Sequence, residues 1–204
     1  MFYSERKEPP NPEHVKILLE FLEVTFNSIL YSRKLYPDEI FSKKKIYGIS
    51  VKTSRYPGLN KYIKCILTYI EDFLKEDIDS VKKVNIVIQN DKKVPVEKFV
   101  IQMDILQQMI LQKTDFYFEK IEDSIKKLLL SLATIDNYLQ PLPSNLTFTI
   151  SLATNLKKNE FLAKNFKFQD FPWKMHKNPR VKKGGKILPM NKFEPVYCIS
   201  CYSN

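Results

Sequence analysis

The chain has 204 residues, 44% of them hydrophobic, and a formal net charge of +10. This length and apolar content predict one domain with a full hydrophobic core, not a disordered chain. The apolar runs are too short and too interrupted to span a bilayer, which argues against a membrane-spanning protein. The charged, proline-containing first ten residues fit neither a signal peptide nor a transit peptide, so a reducing, non-secreted compartment is expected.

Positive charge is concentrated in the last quarter of the chain. Residues 155–204 contain eleven Lys or Arg against three acids, a local net charge of +8. Such a tail attracts nucleic acid or an acidic partner through long-range electrostatics. A solvated lysine-rich loop has the same composition, and no groove with interleaved aromatic residues accompanies the charge. The solvated loop is therefore the preferred interpretation, and direct nucleic-acid binding through this tail is the alternative.

The first predicted element is a long apolar helix. Residues 1–10 are predicted to form a flexible N-terminal arm, followed by Asn11 as the N-cap and Pro12 at the first helical position. The apolar positions cover most sides of this helix, so we expect it at the centre of the fold. It should end by Leu35, because Tyr36 precedes a proline.

The middle of the chain predicts a connector, a second helix and a β-hairpin. In the connector, Lys43–Lys45 is interpreted as a solvated turn and Ile49–Lys52 as a weak strand. A second helix is predicted from the Pro57–Gly58 step onward, on the spacing of its apolar residues. Val84, Ile86 and Ile88 alternate with their neighbours, and Asn90–Lys93 has turn residues. Val94–Met103 is predicted to return as a second strand, which gives a β-hairpin.

A third helix and a further strand complete the predicted core. The helix is expected to begin at Thr114–Asp115 and to run through Ile135, and the strand covers Leu146–Thr154. Short terminal strands are predicted near residues 187–190 and 196–202. Three helices against a mainly antiparallel sheet predict an α+β layered fold in one domain.

Residue types that carry catalysis are poorly represented. The four glycines form no phosphate-binding loop, the two histidines lie far apart in the sequence, and no carboxylate pair lies in an apolar setting. The sequence therefore predicts neither an enzyme nor a bound cofactor. Cys198 and Cys201, with Cys65 and His176, can in principle supply four zinc ligands. In a strand, however, Cys198 and Cys201 point to opposite faces, so no metal site is predicted.

Several segments occur together and in order: Asn27-Ser28-Ile29-Leu30-Tyr31, Leu35-Tyr36-Pro37, Phe41, Tyr47-Gly48, Leu59 with Tyr62-Ile63, Pro95–Val100, and Asp170-Phe171-Pro172-Trp173. This combination resembles the HORMA-domain family, and within it the branch of accessory subunits of translesion DNA polymerase zeta. The resemblance implies a HORMA domain over residues 11–204. Residues 11–154 would form the core, and residues 155–204 a C-terminal safety belt that wraps a partner peptide.

The resemblance also implies a function. The implied function is that of a non-catalytic adaptor in the nucleus, which captures a proline-containing peptide of the polymerase zeta catalytic subunit. Its contact with DNA would be mostly indirect. In that branch a tyrosine and a Phe-Pro-Trp segment line the peptide groove, and they match Tyr62, Phe171, Pro172 and Trp173 here. The plainer alternatives are a rim aromatic for Tyr62 and a core residue for Trp173.

Two further family surfaces have counterparts in this sequence. Ile187, Ser200 and Tyr202 match positions that receive the C-terminal domain of the scaffold translesion polymerase. Lys34 and Lys126 match positions that pair opposite charges in HORMA self-association. Because two lysines do not attract each other, self-association in that mode is not expected. A remodelling AAA+ ATPase is a further partner that the resemblance implies.

The nearest alternative is a spindle-checkpoint HORMA protein. That branch shares Asn27–Tyr31 and Tyr47–Gly48 with this chain. Pro57, the Pro95–Phe99 segment and Phe171–Trp173 favour the polymerase branch instead.

Overall fold

The computed structural model describes residues 11–103, 115–154, 186–187 and 199–203. The described elements are three α-helices, seven strands and two short 3₁₀ helices, and the sequence predicted all three α-helices. In chain order they are α1 (Pro12–Ser32), a 3₁₀ turn (Asp38–Ile40), β1 (Phe41–Ile46), β2 (Ile49–Ser54), α2 (Pro57–Glu76), β3 (Val81–Gln89), β4 (Pro95–Gln102), α3 (Asp115–Ala133), a 3₁₀ turn (Ile135–Asn137), β5 (Thr147–Thr154), β6 (Lys186–Ile187) and β7 (Ile199–Ser203).

Helix α1 begins as the sequence predicts. The Asn11 side chain accepts a hydrogen bond from the Glu13 N–H at 2.9 Å, and Pro12 occupies the first helical position. The buried residues of α1 lie on most sides of the helix, which makes it the centre of the core. The helix ends at Ser32, and Lys34 follows with a positive φ of 51° that turns the chain away from the helix axis.

The connector between α1 and α2 contains a hairpin that the sequence analysis recognised only in part. Lys43–Lys45 lies within β1 and pairs with Ser50–Lys52 of β2, so its interpretation as a solvated turn was wrong. The turn is formed by Tyr47 and Gly48, which have φ values of 49° and 79°. Two positive φ angles in a two-residue loop are typical of the type I′ turn, whose twist matches that of paired strands.

The main sheet has five antiparallel strands in the order β5-β3-β4-β7-β6. Alternate residues of β3, namely Val84, Ile86 and Ile88, join the core cluster that the three helices also line. Helices packed on an antiparallel sheet confirm the predicted α+β class. None of the helices in the described residues is long and apolar enough to cross a membrane.

The ends of the sheet are formed by segments distant in sequence. β5 forms one edge, and β6 forms the other. The chain therefore leaves the sheet at Thr154 on one edge and re-enters it at Lys186 on the opposite edge.

Candidate functional site

The outer edge of β5 offers backbone groups to an additional strand. Within the described residues, β5 pairs with β3 alone, with Ile150 opposite Ile86. The Ile150 N–H donates to a side chain beyond the edge, so it points away from β3. Because hydrogen-bonding directions alternate along an antiparallel strand, the backbone groups of Phe148 and Leu152 point outward as well. An edge of this kind accepts an extended peptide as a further strand.

Tyr62 of α2 lies directly against this edge. Its hydroxyl oxygen accepts the Ile150 N–H at 3.1 Å. Its ring packs edge-to-face on Phe148, with ring centroids 5.6 Å apart and an interplanar angle of 84°. The hydrogen bond and the ring contact together fix where α2 lies relative to β5.

The Tyr36 ring contacts Phe148 as well, and Tyr56 lies near Tyr36; Tyr36, Tyr56, Tyr62 and Phe148 are called the aromatic cluster below. The Tyr36 ring lies 6.2 Å from the Phe148 ring, again edge-to-face. Burial raises the pKa of Tyr36 above its ordinary value, and its neighbours Tyr56 and Tyr62 add to this. Tyr56 is 51% exposed, so the cluster reaches from the core to the surface beside β5.

A glycine at the start of α2 gives Tyr56 its place. A Cβ atom at Gly58 would lie 3.1 Å from the Tyr56 Cε1 and Cζ atoms, closer than ordinary van der Waals contact. The Tyr56 ring can therefore lie this close to the first turn of α2 because residue 58 has no side chain.

A buried ion network fixes the chain just before Tyr36. Arg33 donates through Nε to Glu97 at 2.8 Å and through Nη1 to Asp136 at 2.6 Å. Its Nη2 donates to the Gln140 carbonyl at 2.7 Å. Burial alone would lower the pKa of Arg33, but the hydrogen bonds and negative charges of Glu97 and Asp136 raise it above its ordinary value. The network joins the end of α1, β4 and the segment after α3 into one rigid unit.

The residues predicted to line the peptide groove fall into two groups. Tyr62 lies at the β5 edge, as described above. Phe171, Pro172 and Trp173 lie outside the described residues, so their placement in the groove stays a prediction.

The predicted scaffold-polymerase residues lie on the terminal strands. Ile187 of β6 pairs with Ser200 of β7, and Tyr202 pairs with Lys98 of β4. Strand alternation places positions 200 and 202 on the same face of β7. The register therefore brings these three positions close together, while their role stays a prediction.

The two lysines of the predicted self-association surface have separate surroundings. Lys126 forms ion pairs with Glu122 at 2.8 Å and Asp123 at 3.6 Å, and the hydrogen bond to Glu122 raises its pKa. Lys34 instead lines a cavity of about 620 Å³, together with Asp136 and residues 139 and 141–146. The sequence analysis considered only the repulsion between Lys34 and Lys126. The structure adds that the charge of Lys126 is compensated by two acids on its own helix.

Metal-ligand clustering is absent from the part of the chain that the structure describes: no three His, Cys, Asp or Glu side chains converge there. Cys65 lies half-buried on α2 as a free thiol. His176 and Cys198 lie outside the described residues, so the four-residue zinc combination is not tested.

Sequence reasoning missed two components of the site. Tyr36 and Phe148 were placed in their elements, but their contact joins residues 112 positions apart and no local pattern announces it. The Arg33–Glu97 pair was missed altogether. The available signal was a glutamate on the face of β4 that Phe99 and Ile101 otherwise make apolar, since a buried carboxylate requires a partner.

Comparison with known proteins gives the family. A model of the HORMA domain matches residues 15–172. Human mitotic spindle assembly checkpoint protein MAD2B is 35% identical over 158 residues, covering 77% of this chain and 73% of the human protein. DNA polymerase zeta subunit 2 of Drosophila melanogaster is 23% identical over 184 residues, covering 88% of this chain and 91% of the fly protein.

Solved structures share the fold. A chain of the mitotic checkpoint complex superposes with a TM-score of 0.71 at 18% identity, covering 94% of this chain and 99% of that chain. C. elegans HTP-2 bound to the HIM-3 closure motif also gives a TM-score of 0.71 at 18% identity, covering 96% and 93%. The family model covers most of the residues of this chain, and the human relative is more than 30% identical over most of its length. This protein therefore belongs to the HORMA-domain family.

Proposed function

We propose that this chain is a non-catalytic adaptor, the accessory subunit of a polymerase zeta-type complex, and that it captures an extended proline-containing peptide along β5. The observation that carries the proposal is the outer edge of β5 with the aromatic cluster beside it. An added strand gains affinity from backbone hydrogen bonds, and side-chain contacts on alternate residues give specificity.

The Tyr62 hydroxyl sets where such a peptide forms its hydrogen bonds. It already occupies the Ile150 N–H, so the peptide bonds to the outward groups of Phe148 and Leu152 on either side. The aromatic cluster forms a wall for proline rings, and a stiff proline-containing ligand has less conformational entropy to lose on binding. Phe171, Pro172 and Trp173 would cover the peptide from the safety belt, residues 155–204.

The names of relatives support the choice of complex. The fly relative is named as a subunit of DNA polymerase zeta, and an Arabidopsis thaliana relative as its processivity subunit. The partner proposed for β5 is accordingly the catalytic subunit of that polymerase, in the nucleus. Ile187, Ser200 and Tyr202 would form a second surface for the scaffold translesion polymerase, and an AAA+ ATPase would reopen the belt.

Affinity capture from nuclear extract tests this proposal. The bait is the full chain, alongside a Tyr62→Ala/Trp173→Ala variant and a Tyr138→Ala control, since Tyr138 is an exposed tyrosine outside the aromatic cluster. We expect the wild type and the control to recover the polymerase zeta catalytic subunit, and the double variant to lose it. Equal recovery by all three proteins would refute the β5 site.

A spindle-checkpoint role is the second candidate. The name of the human relative, a mitotic spindle assembly checkpoint protein, favours it. The same capture experiment separates the two, because checkpoint proteins in place of the polymerase subunit would assign the chain to the checkpoint branch.

A further inference from the structure

The β1–β2 hairpin carries a concentrated positive charge. Residues 41–55 contain five Lys or Arg and no acid. Lys43, Lys44 and Lys45 are consecutive on β1, and all three are exposed. Arg55 is exposed at the base of the hairpin, where its N–H donates to the Ile40 carbonyl. The positive charges thus extend from the base of the ribbon to its tip.

These lysines differ from those on the helices. Lys75 and Lys126 form ion pairs with a glutamate one helical turn away. Among the described residues, Lys43–Lys45 takes part in no such ion pair. At the tip, the Tyr47 hydroxyl donates to Glu20 at 3.4 Å, and the charge of Glu122 also raises the pKa of this phenol. The lysine charges are therefore left for solvent or for a partner.

The pairing register places two like charges opposite each other, which does not help the hairpin to fold. Lys43 lies directly opposite Lys52, and like charges at opposed positions destabilise an antiparallel pair. Lys52 is partly compensated, because its Nζ lies 4.9 Å from the centre of the Tyr31 ring. Lys43 has no comparable contact among the described residues. A polyanion bound along the ribbon would remove this repulsion.

We propose that the β1–β2 hairpin binds the phosphodiester backbone of nucleic acid without regard to base sequence. The surface is separate from the β5 edge, and the proposal stands whether or not the chain captures a peptide. Lys45 pairs with Ser50, and from there to Arg55 the strand runs for five residues, about 17 Å. That length of duplex axis carries about five phosphates on each DNA strand. A two-stranded β-ribbon also fits the width of the major groove.

The composition of the surface favours phosphate over protein or lipid. Protein interfaces are depleted in lysine and depend on buried aromatic or aliphatic anchors. No large apolar side chain of the hairpin is among the exposed ones of the described residues. A membrane-binding surface would need the same kind of anchor. The Arg55 Nη2 donates to the Glu39 carbonyl, so the guanidinium is not free for bidentate contact with a base.

Salt-dependent DNA binding tests the proposal. The full chain is titrated onto a fluorescently labelled random duplex, and anisotropy is followed from about 50 to about 200 mM salt. Lys43, Lys45 and Lys52 lie on one face of the ribbon, whereas Lys44 lies on the other. Neutralising three phosphate contacts on that face, with Lys43→Gln/Lys45→Gln/Lys52→Gln, should reduce the slope of log K against log salt by about 2.7. Over that range the wild type should then lose about 40-fold more affinity than the variant.

A matched control removes three exposed lysines elsewhere. Lys64→Gln/Lys92→Gln/Lys93→Gln lowers the net charge equally, but it should leave the slope close to that of the wild type. Both variants keep the basic tail. If the hairpin variant and the control have equal slopes, DNA binding belongs to the tail or to net charge, and the proposal is refuted.

Lys43→Glu separates lost binding from lost folding. The substitution replaces a cross-strand repulsion with an attraction to Lys52, so the Tm should not fall, whereas DNA affinity should fall. Unchanged affinity in this variant would refute the proposal. So would displacement of the DNA by polyglutamate as effectively as by unlabelled DNA at equal charge, because the surface would then recognise acidic protein.

Discussion

The Arg33 network gives the most demanding test of the structure. Glu97 is 1% exposed and supplies both carboxylate oxygens to Arg33, at 2.8 and 3.3 Å. Removing one partner of a buried pair leaves an uncompensated charge and costs about 3–5 kcal/mol. In Glu97→Gln, Arg33 keeps Asp136 and the Gln140 carbonyl as partners. We therefore expect the lower end of that range, a loss of about 3 kcal/mol in the free energy of unfolding.

Burial should grade the cost of each partner. The Asp136 side chain is 42% exposed, so water replaces much of what Asp136→Asn removes, and the loss should stay below about 1 kcal/mol. In Arg33→Met/Glu97→Met both charges are replaced by apolar groups of similar length. This double variant should be more stable than Glu97→Gln, because no buried charge is left unpaired.

Urea denaturation measures these differences. With a slope of about 2 kcal/mol per molar urea, the Glu97→Gln loss corresponds to a midpoint lower by about 1.5 M. If Glu97→Gln and Asp136→Asn cost the same, burial does not govern the network. If the double variant is less stable than Glu97→Gln, the pair contributes net stability and the desolvation argument fails.

Three further predictions concern single side chains. Tyr62→Phe removes the acceptor of the Ile150 N–H and should lower the free energy of unfolding by about 1 kcal/mol in urea denaturation, whereas Tyr138→Phe, at a 61% exposed position, should cost nothing measurable; equal losses would refute the hydrogen bond's role. Gly48→Ala should lower the Tm and the free energy of unfolding by about 1–2 kcal/mol, because the φ of +79° is unfavourable for alanine. Nothing lies within 4 Å of an added Cβ, so this backbone strain is the whole effect, and an unchanged Tm would mean that the turn relaxes. Burial, and the charge and hydrogen bond of Glu20, raise the pKa of Tyr47 to about 12. The contribution of this tyrosine to stability is therefore complete below about pH 10 and is lost between about pH 10 and 12. Tyr47→Phe should flatten that part of the stability-versus-pH curve, and an unchanged curve would contradict the assignment.

The elements that the sequence predicted are those with a strong local signal. α1 has a cap and an apolar pattern, α2 has a proline start and a clean apolar stripe, and β5 alternates. The β1 strand escaped prediction because its three lysines break the alternation of apolar and polar residues. It forms a strand because Tyr47 and Gly48 adopt positive φ and β2 pairs with it, and no alternation of apolar residues in the sequence announces this hairpin.

The candidate site was predictable only through single residues. Tyr62 lies at the edge of the α2 stripe, and that position indicates a surface role. The sequence predicts the strand β5, but it does not show that Tyr62 faces this strand, because β5 begins 85 residues later. Among the described residues, the order β5-β3-β4-β7-β6 decides which strands lie at the edges of the sheet. Strand order depends on which pairings bury the most apolar surface, not on any local motif.

Helix α1 positions both proposed surfaces through two buried polar residues. Asn27 is 2% exposed, its Oδ1 accepts the Ser54 N–H at 2.9 Å, and its Nδ2 donates to the Glu23 carbonyl. This amide fixes the end of β2, and therefore the base of the basic hairpin, on the helix. Two turns later Arg33 fixes the chain before Tyr36. The segment from Tyr36 to Tyr56 contains the β1–β2 hairpin, and its first and last residues both belong to the aromatic cluster. Both side chains are polar and buried because each must hold a different part of the chain at a set distance from one helix, which an apolar contact, being non-directional, cannot specify.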